Sequence, residues 1–88
     1  MKAKVYVSYK DGILDPQGQT VGKALSSIGI DGISNVQIGK YIELSFGNVS
    51  KEEAKKITEE SCKKLLANPN TETFKFEIIE DSLWNLRF

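Results

Sequence analysis

The chain has 88 residues, which is the size of one domain and leaves little surface for enclosing a substrate. Its 12 Lys and Arg residues balance 12 Asp and Glu residues, and this zero net charge gives no general attraction to nucleic acid or anionic membranes. The absence of histidine excludes histidine-dependent triads, general bases and metal ligands, so an enzyme acting alone is disfavoured.

The compartment is inferred from cysteine use and from the hydrophobic pattern. Cys62 is the single cysteine and cannot form a disulfide within the chain, so nothing indicates an oxidising compartment. No apolar run approaches the roughly 18–20 residues that span a bilayer. The N-terminus alternates like a strand and does not resemble a secretion signal. We therefore expect a cytoplasmic protein.

The first predicted elements are a strand and a helix. Apolar and polar side chains alternate over residues 3–9, which predicts a half-buried strand. Asp15 followed by Pro16 predicts the cap and first residue of a helix, and Gly29 is placed to end it. The apolar stripe predicted for this helix consists of Val21, Ala24, Leu25 and Ile28.

A β-hairpin over residues 34–46 is the strongest local signal in the chain. Gly39 and Lys40 suit a two-residue loop in which the glycine supplies the positive φ of a type II′ turn. After this turn, residues 41–46 resume the alternation of apolar and polar side chains. The apolar side of that strand consists of Ile42, Leu44 and Phe46.

A second helix and a last strand complete the pattern. Ser50 and Glu53 form a capping box at the start of the helix, and Asn68 with Pro69 ends it. Its outer face pairs Glu and Lys residues four apart, which is typical of a solvated face. Its predicted core stripe consists of Ala54, Ile57, Ser61 and Leu65. The last strand, residues 73–79, places Phe74, Phe76 and Ile78 on one face.

This order predicts an α+β fold, the ferredoxin-like βαββαβ sandwich, with a four-stranded antiparallel sheet and both helices on one face. We expect residues 1–80 to form this single domain. Its open sheet face would present Tyr6 and Tyr41, residues suited to a partly buried contact. Residues 81–88 form an apolar extension that we expect to lie in a subunit contact. The extension contributes Trp84, Leu86 and Phe88 as further candidates for self-association.

The sequence assigns no catalytic, cofactor-binding or metal-binding residue. The glycines at 29 and 32 lack the spacing of a phosphate-binding loop. Cys62 has no basic neighbour implied and is interpreted as a small structural residue. Tyr6 and Tyr41 would lie on the strands that stack bases in RNA-recognition domains, but Glu43 would occupy that platform and disfavours RNA binding.

Three local motifs, in this order and spacing and followed closely by the last strand, resemble the PurS family. They are Asp15-Pro16-Gln17-Gly18, Gly39-Lys40 and the segment from Cys62 to Pro69. PurS is the small subunit of phosphoribosylformylglycinamidine (FGAM) synthase in purine biosynthesis. The resemblance covers roughly residues 3–80 and does not include the extension.

The resemblance implies a non-catalytic subunit of a glutamine-dependent ligase. Such subunits form a dimer or tetramer and bridge a PurQ-type glutaminase subunit and a PurL-type synthetase subunit, helping ammonia to pass between them. ATP and Mg²⁺ would be used by the synthetase, with no cofactor on this chain. The partner-interface candidates are Asp15, Pro16, Gln17, Gly18, Gly39, Lys40, Asn68 and Pro69.

Each motif residue has an expected role. Asp15 and Pro16 would start the first helix, and Gly18 would let another chain approach the backbone closely. Gln17 would offer amide hydrogen bonds to a partner, and Lys40 would project from the tip of the hairpin.

The alternative function is a dimeric regulatory domain of the same topology that binds a small molecule.

Overall fold

A computed structural model describes residues 1–80, within which it contains three strands and two helices. The second helix continues into a π-helical turn, whose hydrogen bonds join residues five apart. The elements are β1 (Lys2–Tyr9), α1 (Pro16–Ser27), β2 (Lys40–Ser45), α2 (Lys51–Ser61), the π turn (Cys62–Leu66) and β3 (Glu72–Ile79). The predicted order is confirmed except for the strand that was expected before β2.

β1 is the middle strand of an antiparallel sheet with the order β2-β1-β3. Val5 is fully buried and lies opposite Ile42 of β2 and Phe76 of β3, while the next residue, Tyr6, lies opposite Tyr41. Because successive side chains of a strand point to opposite faces, the apolar core lies on the Val5 face and the tyrosines lie on the other. The buried apolar residues are Ala3, Val5, Val7, Ala54, Cys62 and Ala67.

The predicted four-stranded sheet is wrong for the described residues, because residues 34–39 do not form a strand. Gly39 also lacks the positive φ that the predicted turn requires. Instead, the N–H of Ile38 donates to the Asp15 carboxylate at 2.7 Å. A hydrogen bond to a residue 23 positions away has replaced the local hairpin.

α1 starts and ends as predicted but does not pack as predicted. Asp15 caps the helix, Pro16 is its first residue, and Gly29 follows it with a φ of 89°. The apolar stripe is nevertheless exposed, with Val21 at 38% and Ile28 at 72% of their possible surface. α2 packs on β1 and β3, whereas α1 has no comparable contact with any strand. The expectation of two helices covering one sheet face is therefore met by α2 alone.

The core face of α2 differs from the predicted stripe. Ala54 is buried, but Ile57 is 42% exposed and Leu65 is 82% exposed. Thr58 and Cys62 are buried instead, and together with Ala54 they lie at intervals of four residues on one face of the helix. Thr58 is tolerated there because its hydroxyl donates to the Ala54 carbonyl at 2.7 Å, which satisfies the buried polar atom.

The ends and outer face of α2 follow the sequence more closely. The Ser50 side chain accepts from the N–H of Glu53 at 3.1 Å, which confirms the predicted cap. Ion pairs join Glu59 to Lys63 and Glu60 to Lys64 across one helical turn. Both pairs are exposed, so they contribute little more than solubility.

The predictions for the extension fall outside the described part of the chain. They concern residues 81–88 and the self-association candidates Trp84, Leu86 and Phe88. Among residues 1–80, no helix has the length and apolar character needed to cross a membrane.

Candidate functional site

The partner-interface candidates lie together at one end of the sheet, although they come from three separate motifs. At this end β1 finishes and both β2 and β3 begin, with Val7 opposite Lys40 and Tyr9 opposite Glu72. The Lys40 ammonium and the Glu72 carboxylate form an ion pair at 3.9 Å. We call this region the Lys40 end, and α1 starts beside it because Asp15 bonds to the segment that precedes β2.

Asp15 joins the start of α1 to the segment before β2. One carboxylate oxygen accepts from the N–H of Gly18 at 2.9 Å, and the other accepts from the N–H of Ile38 at 2.7 Å. These backbone hydrogen bonds, that of Ile38 first, hold the pKa of Asp15 below its usual value. Since Asp15 is buried and both its oxygens are used within the chain, its role here is structural.

Gly18 and Gly39 allow close approaches, but the approaching backbone belongs to the same chain. A Cβ on Gly18 would overlap the carbonyl oxygen of Val36 and lie 2.9 Å from an Asp15 oxygen. A Cβ on Gly39 would overlap the carbonyl oxygen of Val7. The expectation that Gly18 makes room for another chain is therefore wrong for this close contact. Gly39 does not form the predicted turn, and instead lets the segment before β2 pack closely against β1.

Pro16 and Gln17 are the exposed members of the first motif. Together with Val21 and Ile38 they line an open, mostly apolar cleft of about 600 Å³ beside the first turn of α1. The Gln17 amide is thus the polar group of this motif that lies where a partner could reach it.

The remaining candidates form the β3 side of the Lys40 end. The Asn68 N–H donates to Glu72 at 2.8 Å, and the Pro69 carbonyl accepts from the Lys10 ammonium at 2.7 Å. Asn68 and Pro69 therefore shape the turn into β3, while Lys40 keeps a side chain that is 58% exposed. Lys10 and Glu72 were not singled out from the sequence, because the Lys10 contact joins residues 59 positions apart.

Tyr6 and Tyr41 lie side by side on the open face, with ring centroids 5.3 Å apart. The Tyr41 hydroxyl donates to the Glu43 carboxylate at 2.6 Å. This hydrogen bond raises the pKa of Tyr41 to about 12, and the same bond lowers the pKa of Glu43. Lys75 approaches the Tyr6 ring at 6.0 Å, so the pair belongs to a polar network on this face.

The described residues contain no arrangement that suggests catalysis. Among residues 1–80, no cluster of three or more His, Cys, Asp and Glu side chains could hold a metal ion. Burial raises the pKa of the Cys62 thiol, with the Glu59 charge adding to the effect, so its nucleophilic thiolate is disfavoured. The exposed groups that the Lys40 end offers to another chain are the Gln17 amide and the Lys40 ammonium.

We expect Asp15→Ala to lower the melting temperature near neutral pH by roughly 4–8 °C, the size of a lost helix cap in a domain of this length. The carboxylate has a folded pKa below the ordinary 3.8, so its stabilising effect is complete above that pH and disappears as the pH falls through the folded pKa. Thermal unfolding followed by circular dichroism across acidic pH measures this. The difference from the parent chain should shrink on acidification.

The matched control for that experiment is Asp11→Ala, which removes an exposed carboxylate from the same loop. We expect this variant to keep the parental melting temperature. An Asp15 variant that melts with the parent at neutral pH would contradict the role assigned to the carboxylate.

Known proteins resemble this chain over nearly its whole length. The family model for PurS, phosphoribosylformylglycinamidine (FGAM) synthase, matches residues 2–80. The PurS subunit of Bacillus subtilis is 43% identical over 79 residues, which cover 90% of this chain and 93% of the relative. The PurS subunit of Methanocaldococcus jannaschii is 36% identical over 77 residues, covering 88% and 93%.

Solved structures agree with these sequence matches. A crystal structure of Bacillus subtilis PurS superposes with a TM-score of 0.81 at 43% identity, covering 90% of this chain and 98% of the other. A structure of PurLQS from Thermotoga maritima contains a chain that superposes with a TM-score of 0.79 at 28% identity, covering 89% and 95%.

Proposed function

The chain belongs to the PurS family of FGAM synthase subunits, and we propose that it is the non-catalytic bridging subunit of such a complex. The complex would convert formylglycinamide ribonucleotide to formylglycinamidine ribonucleotide with ATP and glutamine. The observation that carries the proposal is the gathering of three family motifs at the Lys40 end. We propose that the complex works in the cytoplasm.

The division of roles among the subunits is the one that the resemblance to PurS implies. A PurQ-type glutaminase subunit would release ammonia, and a PurL-type synthetase subunit would use ATP and Mg²⁺ to activate the amide oxygen that ammonia displaces. The Thermotoga maritima PurLQS structure supports these partners, because it contains a chain of the same fold. This chain would hold the two subunits together and shield the ammonia from water.

The exposed polar groups of the Lys40 end are suited to a reversible contact with a partner. The Gln17 amide can donate and accept hydrogen bonds, and the Lys40 ammonium is only partly neutralised by Glu72 at 3.9 Å. The Asp15 and Gly18 contacts hold the first turn of α1 in place, so Gln17 is presented from a fixed backbone. Such preorganisation reduces the entropy lost on binding.

Reconstitution tests the proposal directly. Synthetase and glutaminase subunits from the same organism are assayed with and without this chain, using glutamine or free ammonia as the nitrogen source. We expect glutamine-dependent activity to require the chain and ammonia-dependent activity to need it less. Full glutamine-dependent activity without the chain would contradict the proposal. A rise in melting temperature with an amino acid or nucleotide, and no partner, would favour the regulatory alternative.

We expect the double variant Gln17→Ala, Lys40→Ala to reduce glutamine-dependent activity several-fold while leaving ammonia-dependent activity nearly intact. The physical reason is the loss of a partner hydrogen bond and a charge at a solvent-exposed contact, together worth about 1 kcal/mol, which corresponds to roughly 5-fold. Steady-state rates of the reconstituted complex with each nitrogen source measure the effect. Lys55→Ala, an exposed lysine of α2, is the control. If the double variant kept the parental glutamine-dependent rate, neither residue would contribute to the contact with a partner subunit.

A further inference from the structure

Glu72 connects two of the family motifs at the Lys40 end, although it belongs to neither of them. One oxygen of its carboxylate accepts a hydrogen bond from the N–H of Asn68 at 2.8 Å, and the other forms the ion pair with the Lys40 ammonium at 3.9 Å. Its own backbone N–H donates to the Asn68 carbonyl at 2.7 Å. One residue therefore joins the turn that precedes β3 to the first residue of β2.

The ion pair between Lys40 and Glu72 crosses the central strand of the sheet. Lys40 lies opposite Val7 of β1, and Glu72 lies opposite Tyr9 of the same strand. Residues that lie opposite one another, and residues two apart along a strand, point to the same face of a sheet. Both charged side chains thus start on the face of the buried Val7 and meet across β1. The pair connects the two outer strands at this end of the core.

The two members of the pair differ in exposure. The Glu72 side chain keeps 15% of its possible exposed surface, whereas the Lys40 side chain keeps 58%. Water and salt screen an attraction less when one of the charges is shielded, so we expect this pair to be stronger than the exposed pairs of α2. Glu72 is therefore the fixed member, and Lys40 is the member that another chain can reach.

Lys10 fixes the turn before β3 from a second side. Its ammonium donates to the Pro69 carbonyl at 2.7 Å, and its backbone N–H donates to the Thr71 carbonyl at 2.9 Å. These bonds attach the segment that carries Glu72 to the end of β1. Because they do not involve Lys40, they should survive a change of charge at position 72, and the ion pair can be tested without loss of the turn.

We propose that Glu72 is a positioning residue of the subunit contact: its carboxylate directs the Lys40 ammonium to an acceptor oxygen of a partner subunit. A lysine side chain is a flexible four-carbon stem, and holding it in one direction lowers the entropy that is lost when it binds. The ammonium has three donors, so its contact with Glu72 leaves others for the partner. This inference rests on the proposed function and adds that Lys40 and the turn at Asn68 and Pro69 act as one unit.

Titration of this chain into reconstituted synthetase and glutaminase subunits tests the proposal. The quantity measured is the concentration of chain that gives half of the maximal glutamine-dependent rate. We expect Glu72→Gln to raise this concentration about 2- to 5-fold, the range for the loss of one partly exposed charge pair, and to leave the rate at saturation unchanged. The amide keeps an oxygen that can accept from Asn68, so the variant should remain folded by circular dichroism. Glu80→Gln, which removes an exposed carboxylate just past the other end of β3, is the control and should match the parent.

A double-mutant cycle shows whether Glu72 acts through Lys40. In the Lys40→Ala background we expect Glu72→Gln to have no further effect on the half-maximal concentration, because the group that it positions is gone. A purely structural role of Glu72 would give the same loss in both backgrounds, and that result would overturn the proposal. A half-maximal concentration that Glu72→Gln left unchanged or lowered would overturn it as well, since the carboxylate would then not direct the ammonium to the partner.

A measurement on the chain alone separates this inference from the proposed function. NMR relaxation at the side-chain Cε of Lys40 reports how far its motion is restricted on the ps–ns timescale. We expect Lys40 to be more ordered than the exposed Lys55 in the parent and as mobile as Lys55 in Glu72→Gln. Equal mobility of the two lysines in the parent would overturn the inference even if glutamine-dependent activity required the chain. Full activity without the chain, with Lys40 ordered by Glu72, would instead overturn the proposed function and with it the assignment of this contact to a partner subunit.

Discussion

Gly18→Ala is expected to destabilise the folded protein by about 1–3 kcal/mol, the range for forcing an extra group into a filled space. Helix propensity alone predicts the opposite sign, since alanine is favoured over glycine by about 1 kcal/mol inside a helix. The added Cβ would overlap the carbonyl oxygen of Val36, which is backbone and cannot rotate away. Urea unfolding followed by circular dichroism at fixed protein concentration measures the change.

Gly22→Ala is the matched control, because it lies one turn later in α1 and faces the same residue. Its Cβ would lie 3.6 Å from a Val36 side-chain methyl, an ordinary contact distance. We expect this variant to be as stable as the parent or more stable by up to about 1 kcal/mol. If Gly18→Ala were as stable as the parent or more stable, as expected for Gly22→Ala, the segment at Val36 would not pack tightly against α1.

Gly39→Ala is expected to have the second large effect, again about 1–3 kcal/mol. The new Cβ would overlap the carbonyl oxygen of Val7, a residue of the central strand that is itself buried. Either the entry into β2 or the end of β1 must then shift, which disturbs the Lys40 end. The same unfolding experiment measures the stability.

Gly47→Ala is the control for position 39, because its Cβ would meet nothing within 4 Å and its φ is not positive. We expect its stability to stay within about 0.5 kcal/mol of the parent, as for most surface changes. If Gly39→Ala and Gly47→Ala were equally stable, the close approach of residue 39 to β1 would not contribute to the free energy of unfolding. Reduced glutamine-dependent activity of Gly39→Ala at a temperature where it is folded would link this packing to the interface.

Local patterns in the sequence predicted the elements that depend on local physics. The cap of α1 at Asp15 and that of α2 at Ser50 were both identified from side chains that accept hydrogen bonds within the first turn. The alternation in β1 and β3 was recognised because a half-buried strand places every second side chain in the core. Helix caps and strand alternation depend only on residues that are close together in the sequence, so a local pattern is enough to predict them.

Patterns failed where a distant residue supplied the partner. The hairpin at Gly39 was wrong because Ile38 bonds to Asp15, and nothing near Ile38 in the sequence indicates this. The core position of Thr58 was missed because the predicted stripe ran through Ile57 and Ser61. The Thr58 hydroxyl is satisfied in the core by the carbonyl of the preceding turn. The α1 stripe was identified correctly as apolar and wrongly assigned to the core of its own chain.

The sequence by itself determined the family and its subunit function, the α+β class, the helix caps and the faces of the three strands. The family and its subunit function were inferred from the resemblance of three short motifs to PurS, whereas the class, the caps and the strand faces follow from capping residues and side-chain periodicity, which act over a few residues. Only the tertiary structure decided that the motifs meet at the Lys40 end, that Gly18 and Gly39 pack against their own chain, and that within residues 1–80 the apolar stripe of α1 stays exposed. These depend on contacts between distant residues, whose formation is governed by packing space and backbone hydrogen bonds that no local pattern encodes.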